Sequence, residues 1–318
     1  MTNDASQASP PPDSGTATAA PSRCGVVALL GAPNAGKSTL LNALVGAKVS
    51  IVTHKVQTTR VRVRGVVLEG NTQIVLVDTP GIFSHATRRL ERAMLRAAWD
   101  SAEDADAVVL IYDAAKRGID PETEALVQRL KRIGRPAFLV LNKIDRIRRD
   151  KLLGLAAAFD AYGVFAATFM ISARSGDGVA DLKRALADRM AEGPWLYPED
   201  QLCDFSLRVM AAELTREKLY LALHKELPYA LTVETEDWQD FADGSVRLSQ
   251  TIYVEREGQK KIVVGKGGAG IRRVREAVQA ELARDLERPV HLFLFVKVRP
   301  NWAEDPERYR DLGLDYNV

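Results

Sequence analysis

Cysteine is nearly absent. The 318-residue chain holds two, Cys24 and Cys203, far apart and in no metal-ligand spacing, which reads as a pair of reduced thiols in a cytosolic protein. Histidine numbers only four, so there is no Cys/His cluster to hold a structural zinc ion. No stretch approaches the roughly 18 uninterrupted apolar residues of a membrane span, which excludes an integral membrane chain. A charge excess is missing too: the formal balance is +2 and says nothing global about partners. What remains is 46% hydrophobic and 27% charged, an ordinary globular composition. The length leaves room for roughly two domains.

Residues 1–22 lack Val, Ile, Leu and aromatic residues and are rich in Pro, Ser, Ala and Thr. Such a segment cannot offset its ordering entropy and reads as a disordered tail; without a basic start and apolar stretch it is no secretory signal. From 23 to 195, short Val/Ile/Leu-rich runs alternate with amphipathic helical stretches. Strands are expected at 25–30, 61–68, 73–78, 106–113, 136–142 and 165–171, and helices near 37–46, 88–102, 121–134, 149–160 and 179–191. This is the pattern of a doubly wound α/β domain with a mixed, mostly parallel sheet. Gly193-Pro194-Trp195-Leu196-Tyr197-Pro198 breaks the pattern and introduces a linker at 196–204. Residues 205–305 have a different α+β rhythm: a helix at 205–226, strands at 230–236 and 246–255, a glycine-rich turn at 265–270, a helix to about 287 and a strand at 290–298. A tail at 306–318 ends the chain.

Four motifs in the first domain carry chemistry. Gly31-Ala32-Pro33-Asn34-Ala35-Gly36-Lys37-Ser38, followed by Thr39, sits between a strand and a helix. Its glycines let the backbone N–H groups form a nest for phosphate at a helix N-terminus. Lys37 would reach the β- and γ-phosphates, and Ser38 would ligate magnesium. Asp78-Thr79-Pro80-Gly81, before Ile82, closes a strand; Asp78 can hold magnesium and the Gly81 N–H can sense the γ-phosphate. Asn142, Lys143 and Asp145, then Ser172 and Ala173, each follow a strand. The Asp145 carboxylate suits the N1–H and exocyclic amine of guanine, whereas adenine would leave it unpaired. Asn142 and the Ala173 N–H would address the other guanine edge atoms, and the Lys143 stem would pack over the base. The nucleotide is GTP or GDP.

With these motifs the chain resembles the translation-factor-related GTPases. The resemblance implies that Gln57-Thr58-Thr59-Arg60 is a first switch whose threonine completes the magnesium shell. Thr59 is favoured over Thr58, though spacing does not separate them. The expected metal ligands are Ser38, Thr59 and Asp78, and the expected catalytic groups are Lys37, Thr59 and Gly81. Ile82 stands where Ras-like enzymes carry a water-positioning Gln, so slow intrinsic turnover is expected. Asn34 occupies the position that helps hold potassium in related GTPases lacking that Gln.

The second domain carries Gly265-Lys266-Gly267-Gly268 between an apolar run and an amphipathic helix. From 256 to 275 there are seven basic residues and one acid, whereas 201–318 as a whole has 18 basic and 20 acidic, so the basicity is local. A G-x-x-G loop with Lys266, flanked by Lys260, Lys261, Arg272 and Arg273, resembles the KH (type II) fold, which clamps single-stranded RNA along that loop. The run 259–264 would then be a short helix despite its β-rich composition, with Ile271, Val274 and Val278 facing the core. Lys48, Lys55, Arg60, Arg62 and Arg64, with no acid among them, either contact RNA or line a solvated edge.

A GTPase domain followed by a KH domain, with QTTR at 57–60, VVGKGGAGI at 263–271 and VKVRPNWAED at 296–305, resembles the Era family of bacterial ribosome-assembly GTPases. The resemblance implies GTP hydrolysis with magnesium, binding of the 3′ end of 16S rRNA, and assistance to 30S subunit assembly by a cytoplasmic monomer, with loose inner-membrane association. The alternative is a membrane-surface GTPase that regulates cell cycle or division.

Overall fold

In the computed structural model, residues 21–318 are described except 56–57, 61–62, 83–87, 226 and 312. Most of the expected tail at 1–22, Gln57 and Arg62 therefore lie outside the described residues. The first domain runs β1 (Arg23–Leu30), α1 (Lys37–Val45), β2 (Val63–Glu69), β3 (Thr72–Asp78), α2 (Arg89–Asp104), β4 (Ala107–Asp113), α3 (Pro121–Ile133), β5 (Ala137–Asn142), α4 (Arg149–Asp160), β6 (Phe165–Ile171), α5 (Val179–Arg189) and β7 (Ala191–Glu192). The sheet order is β2-β3-β1-β4-β5-β6, with β7 beside the start of β1. β2 and β7 pair antiparallel and the other neighbours parallel.

The central strands are buried on both faces because each face carries its own core. One packs Leu40, Leu41 and Leu44 of α1 and Leu182 and Leu186 of α5 onto the sheet. The other packs Trp99, Leu126, Val127, Leu130 and Phe159 of α2, α3 and α4. Helix ends follow local chemistry. At α3 the Asp120 carboxylate accepts the Thr123 N–H at 2.8 Å and Pro121 takes the first turn; Gly134, at φ +69°, ends it.

The second domain runs α6 (Leu207–Ala222), β8 (Leu231–Asp240), β9 (Val246–Val254), α7 (Glu257–Val264), α8 (Ala269–Asp285), β10 (Val290–Val298) and α9 (Pro306–Asp311). Its sheet is ordered β10-β9-β8, with β9 and β10 parallel and β8 antiparallel. Leu219, Val263, Val274, Val278 and Leu282 cover the inner face, and Ile271 packs against the same core. The run 259–264 is helical as the loop motif required, because α7 must present the glycine turn to α8.

Two connecting segments are more built than their composition suggests. The linker crosses the start of β3: Gln73, fully buried, accepts the Leu196 and Tyr197 N–H groups at 2.9 and 3.0 Å and donates to the Tyr197 carbonyl at 2.8 Å. Residues 306–318, read only as a tail, carry α9. Trp302 joins Tyr309 and Leu314 in a cluster against Leu90, Ala93, Met94 and Ala97 of α2.

Candidate functional site

The loop at 31–38 turns where only glycine fits. Gly31 has φ +151° and a Cβ there would meet the Ile111 carbonyl oxygen at 2.4 Å; Gly36 has φ +105° and a Cβ would meet Asn142 Nδ2 at 2.2 Å. Helix α1 then opens with no side-chain cap and no acid in its first turn, leaving its first N–H groups to face an anion. A cavity of about 530 Å3 lies in front of it, lined by Pro33, Asn34, Gly36, Lys37, Ser38, Thr39, the segment 51–55, Thr58, Thr59 and Gly81. It continues into a second cavity of about 350 Å3 lined by Asn142, Lys143, Asp145, Ser172 and Ala173. Phosphate-type and base-type residues thus meet in one cleft.

Asp78 is fully buried at the centre. Its Oδ2 accepts from Ser38 at 2.6 Å, Ser50 at 3.0 Å and Thr59 at 3.3 Å, and the Ser38 and Thr59 hydroxyls are 2.9 Å apart. Its Oδ1 is buried with no hydrogen-bond partner among the described residues. Burial raises the carboxyl pKa, opposed by Lys37 and by the three hydroxyls. One orphaned carboxylate oxygen beside two hydroxyls is a hard-oxygen donor set that fits Mg2+, which keeps waters and takes few protein ligands. Thr59, not Thr58, is the threonine at this cluster; the Thr58 hydroxyl bonds Thr53 and the Lys55 carbonyl. Ser50 was missed in the sequence because its place depends on Asn42, whose Oδ1 accepts the Val49 and Ser50 N–H groups at 2.9 Å and whose Nδ2 reaches the Ser50 carbonyl at 2.7 Å.

Lys37 is 6% exposed, and its ammonium donates to the Gly31 and Ala32 carbonyls at 3.0 and 3.1 Å. Burial pushes its pKa down to about 8, against an opposing pull from Asp78. A lysine depressed in the folded chain makes folding release a proton, so this group favours the folded state more as pH rises from about 8 to the ordinary lysine range. A bound polyphosphate reverses the shift by favouring the ammonium. Nucleotide binding should therefore take up a proton near about pH 9, and affinity should fall as pH rises through that window. Calorimetry in two buffers of different ionisation enthalpy measures this directly; equal apparent enthalpies in both would refute it.

The base-side residues are tied to the phosphate loop. Asn142 is 2% exposed; its Nδ2 donates to the Ala35 carbonyl at 2.9 Å, while its Oδ1 accepts the Lys143 N–H at 2.8 Å and the Ala173 N–H at 3.0 Å. Asn142 and the Ala173 N–H, read from sequence as facing the guanine edge, are bonded to one another, and the second hydrogen of the Asn142 amide is left for the base. Lys143, at φ +66°, places its ammonium 2.6 Å from the Asn34 carbonyl and 2.6 Å from Asp113, which lays its stem across the cavity. Asp145 is exposed to the cavity, and Arg146 and Arg174, both unforeseen, flank it. Thr79 is turned away, its hydroxyl on the Leu29 carbonyl at 2.6 Å. Ile82 is buried in the core with its N–H on the Gly31 carbonyl at 3.2 Å, so its side chain offers nothing to a water in the cleft.

In the second domain, Gly265, Gly267 and Gly268 all have positive φ, at +73°, +59° and +78°. A Cβ at Gly265 would meet the Gly270 nitrogen at 2.8 Å, which locks the turn between α7 and α8. Lys261, Lys266, Arg272 and Arg273 are exposed and Lys260 half-buried. The structure records no ion pair for any of these five among the described residues. The other basic group behaves differently: Lys48 pairs with Glu217 and Glu281, Lys55 with the Tyr220 and Leu223 carbonyls, and Arg64 with Asp204. Lys48, Lys55 and Arg64 thus fasten the second domain and the linker to the first, while Lys48 and Arg64 keep exposed side chains.

Comparisons with known proteins agree with this geometry. Residues 26–143 match the family described as 50S ribosome-binding GTPase, and residues 226–303 match the KH domain. The chain is 59% identical to GTPase Era of Afipia carboxidovorans over 93% of its length and 96% of the relative. It is 57% identical to GTPase Era of Sinorhizobium medicae over 94% and 96%. Among solved structures, Era of Aquifex aeolicus bound to GDP and aluminium fluoride superimposes with a TM-score of 0.87 at 35% identity, covering 93% of this chain and all of that one. Era in complex with MgGDPNP and nucleotides 1506–1542 of 16S ribosomal RNA superimposes with a TM-score of 0.87 at 36% identity over the same shares. A phosphate loop tied to a guanine-type pocket, joined to a KH domain and matched along nearly the whole chain, places this protein in the Era family, and its reaction is the hydrolysis of GTP.

Proposed function

We propose that the chain is a GTP-driven switch that binds the 3′ region of small-subunit 16S rRNA through its KH domain and assists assembly of the 30S subunit. One observation carries this reading: an unpaired basic glycine turn stands in the same chain as a cleft of nucleotide dimensions, in a fold shared with an Era solved on 16S rRNA. The phosphates would lie on the N–H groups of residues 31–39, with Lys37 on the β- and γ-phosphates and the Gly81 N–H at the γ-phosphate. Asp145 would hold guanine, the Lys143 stem would cover it, and Ser172 and Ala173 would close its far edge. Magnesium would be held by Ser38, Thr59 and, through water, Asp78, and it would neutralise charge developing on the phosphates. With Ile82 in the core, hydrolysis rests on positioning and electrostatics, so unassisted turnover is slow. Asn34 lines the cleft and donates Nδ2 to the His54 carbonyl at 3.0 Å, so its Oδ1 and neighbouring carbonyls would suit potassium.

Gly265, Lys266, Gly267 and Gly268 would clamp the RNA backbone, with Lys260, Lys261, Arg272 and Arg273 on phosphates. A switch that works on GTP and rRNA would act in the cytoplasm, and we take it to act there as a monomer. Among the described residues no helix is long and apolar enough to cross a membrane, so any contact with the inner membrane would be peripheral. The test is GTP turnover in magnesium and potassium, with sodium as control, with and without an oligonucleotide matching the 3′ tail of 16S rRNA. RNA should bind and stimulate, and Gly267→Asp should abolish both. A side chain at Gly267 meets nothing within 4 Å, but φ +59° there strains any L residue; Gly267→Asn, which carries the same strain without the charge, is therefore the control, and it should keep RNA binding where Gly267→Asp loses it. Binding to anionic vesicles without affinity for the oligonucleotide would favour the membrane-surface alternative.

A further inference from the structure

Two neighbouring residues of the first switch serve different domains. Thr59 turns its hydroxyl to Ser38 and Asp78. Arg60, only 2% exposed, turns the opposite way and is swallowed by the KH domain. Its two terminal nitrogens donate to the Leu231 carbonyl at 2.8 Å and the Tyr229 carbonyl at 2.9 Å. Its guanidinium lies 5.8 Å from the Tyr220 ring centroid and 5.7 Å from that of Trp302. The backbone before it is held too: Arg216, braced by Glu213, donates to the Thr58 carbonyl, and Glu217 accepts the Val52 N–H at 2.9 Å.

We infer that Arg60 is a positioning residue for GTP hydrolysis: anchored in the KH domain, it holds Thr59 at the magnesium cluster, so the docked KH domain completes the catalytic centre in cis. The physical reason is the length of the tether. Adjacent Cα atoms are about 3.8 Å apart, so Thr59 cannot withdraw from Asp78 without dragging a buried guanidinium off two carbonyls. A charge so buried leaves only if it is rehydrated, and the carbonyls left behind lose their donors. Arginine is required because its fork serves both carbonyls at once, which one ammonium cannot do with the same geometry. Linkage makes the effect reciprocal: whatever fixes Thr59 at the cluster favours the docked domain by the same factor. Trp302 extends the contact, since it packs on Arg60 and also belongs to the cluster that covers α2.

The inference rests on Thr59 serving the magnesium site, and the experiment separates the two. Full-length Arg60→Ala, Arg60→Lys and Thr59→Ala are compared with the parent for kcat, KM, the magnesium concentration giving half-maximal rate, and affinity for GDP and a non-hydrolysable GTP analogue. GDP has no γ-phosphate for the switch to close on, so a positioning role should leave GDP affinity within about twofold. Arg60→Ala should lower kcat at least about tenfold, raise the magnesium requirement and weaken the analogue relative to GDP by a similar factor. Arg60→Lys should fall between parent and alanine, and Thr59→Ala should show the alanine pattern. If Thr59→Ala shows it and the Arg60 variants keep the parental kcat and analogue-to-GDP ratio, the positioning role is wrong. Parallel losses of GDP and analogue binding would mark Arg60 as structural only and overturn it equally. Should Arg60→Ala not fold, Arg60→Lys decides by the same ratio. If Thr59→Ala keeps the parental values, the magnesium-site reading itself fails.

Discussion

Asp145→Asn should lower the affinity for GTP by about a hundredfold to a thousandfold and create an enzyme that prefers xanthosine triphosphate. The Asp145 carboxylate is exposed to the base cavity, with no hydrogen-bond or ion-pair partner among the described residues, and guanine offers it two donors, N1–H and the C2 amine. An asparagine in the same place keeps one acceptor but puts an NH2 group against that amine, so two donors face each other and both are desolvated without a partner. Losses of this kind in sites built for hydrogen bonding reach about four orders of magnitude; the openness of this cavity to water argues for the smaller figure. Xanthine carries a C2 carbonyl in place of the amine and keeps N1–H, so the asparagine pairs with it completely. The phosphate side of the cleft is untouched, and kcat for the new nucleotide should stay close to that of the parent with GTP. Competition binding with GTP, GDP, ATP and xanthosine triphosphate decides the matter. A variant that still prefers GTP would show that guanine is read elsewhere, with Arg146 and Arg174 the first groups to examine.

Contiguous motifs were legible in the sequence because backbone geometry dictates residue type within a few positions. Gly31 and Gly36 are needed where a Cβ would strike Ile111 and Asn142, and such needs leave a readable string. The same holds for the turn at 265–268, whose demand for a preceding helix overrode the β-rich composition of 259–264. Ser50, by contrast, joins Asp78 only because Asn42 on α1 holds its backbone. No spacing rule connects those three positions. Charge was the least legible feature. Lys48, Lys55, Arg60 and Arg64 form an acid-free run that composition alone presents as a basic surface. Their partners, Glu217, Glu281, Tyr229, Leu231 and Asp204, lie well over a hundred residues away in sequence. Charge counts in a window cannot see a partner supplied by another domain. The glycine-turn cations escaped that error only because among the described residues no acid pairs with Lys260, Lys261, Lys266, Arg272 or Arg273, which again is a tertiary fact. For the same reason the second domain's role in completing the switch was invisible until Arg60 was seen inside it.

Asn142→Ala should cost the first domain about 3–5 kcal/mol of stability and abolish measurable nucleotide binding at micromolar GTP. The side chain ties three loops together, accepting from Lys143 and Ala173 and donating to Ala35. Truncation leaves one carbonyl and two N–H groups without partners, two of these contacts lying in fully buried surroundings, and each orphan costs about 1–3 kcal/mol before water relieves part of it. For a domain of this size the thermal transition should fall by roughly 10 °C. The loss of binding has a separate cause. The Ala35 carbonyl that Asn142 holds adjoins Gly36, whose φ of +105° turns the loop, and the Lys37 ammonium hangs from the loop that Gly36 ends. Asn142→Asp separates the two effects. It keeps the oxygen that accepts from Lys143 and Ala173, so the base loops stay together and the transition should fall less. Its second oxygen faces the Ala35 carbonyl and repels it, so the phosphate loop loosens and GTP affinity should fall nearly as far as in the alanine variant. Thermal melts and fluorescent-nucleotide titrations of both variants provide the check. Parental binding in Asn142→Asp would mean that the phosphate loop holds its shape without the tie, leaving Asn142 a role in stability alone.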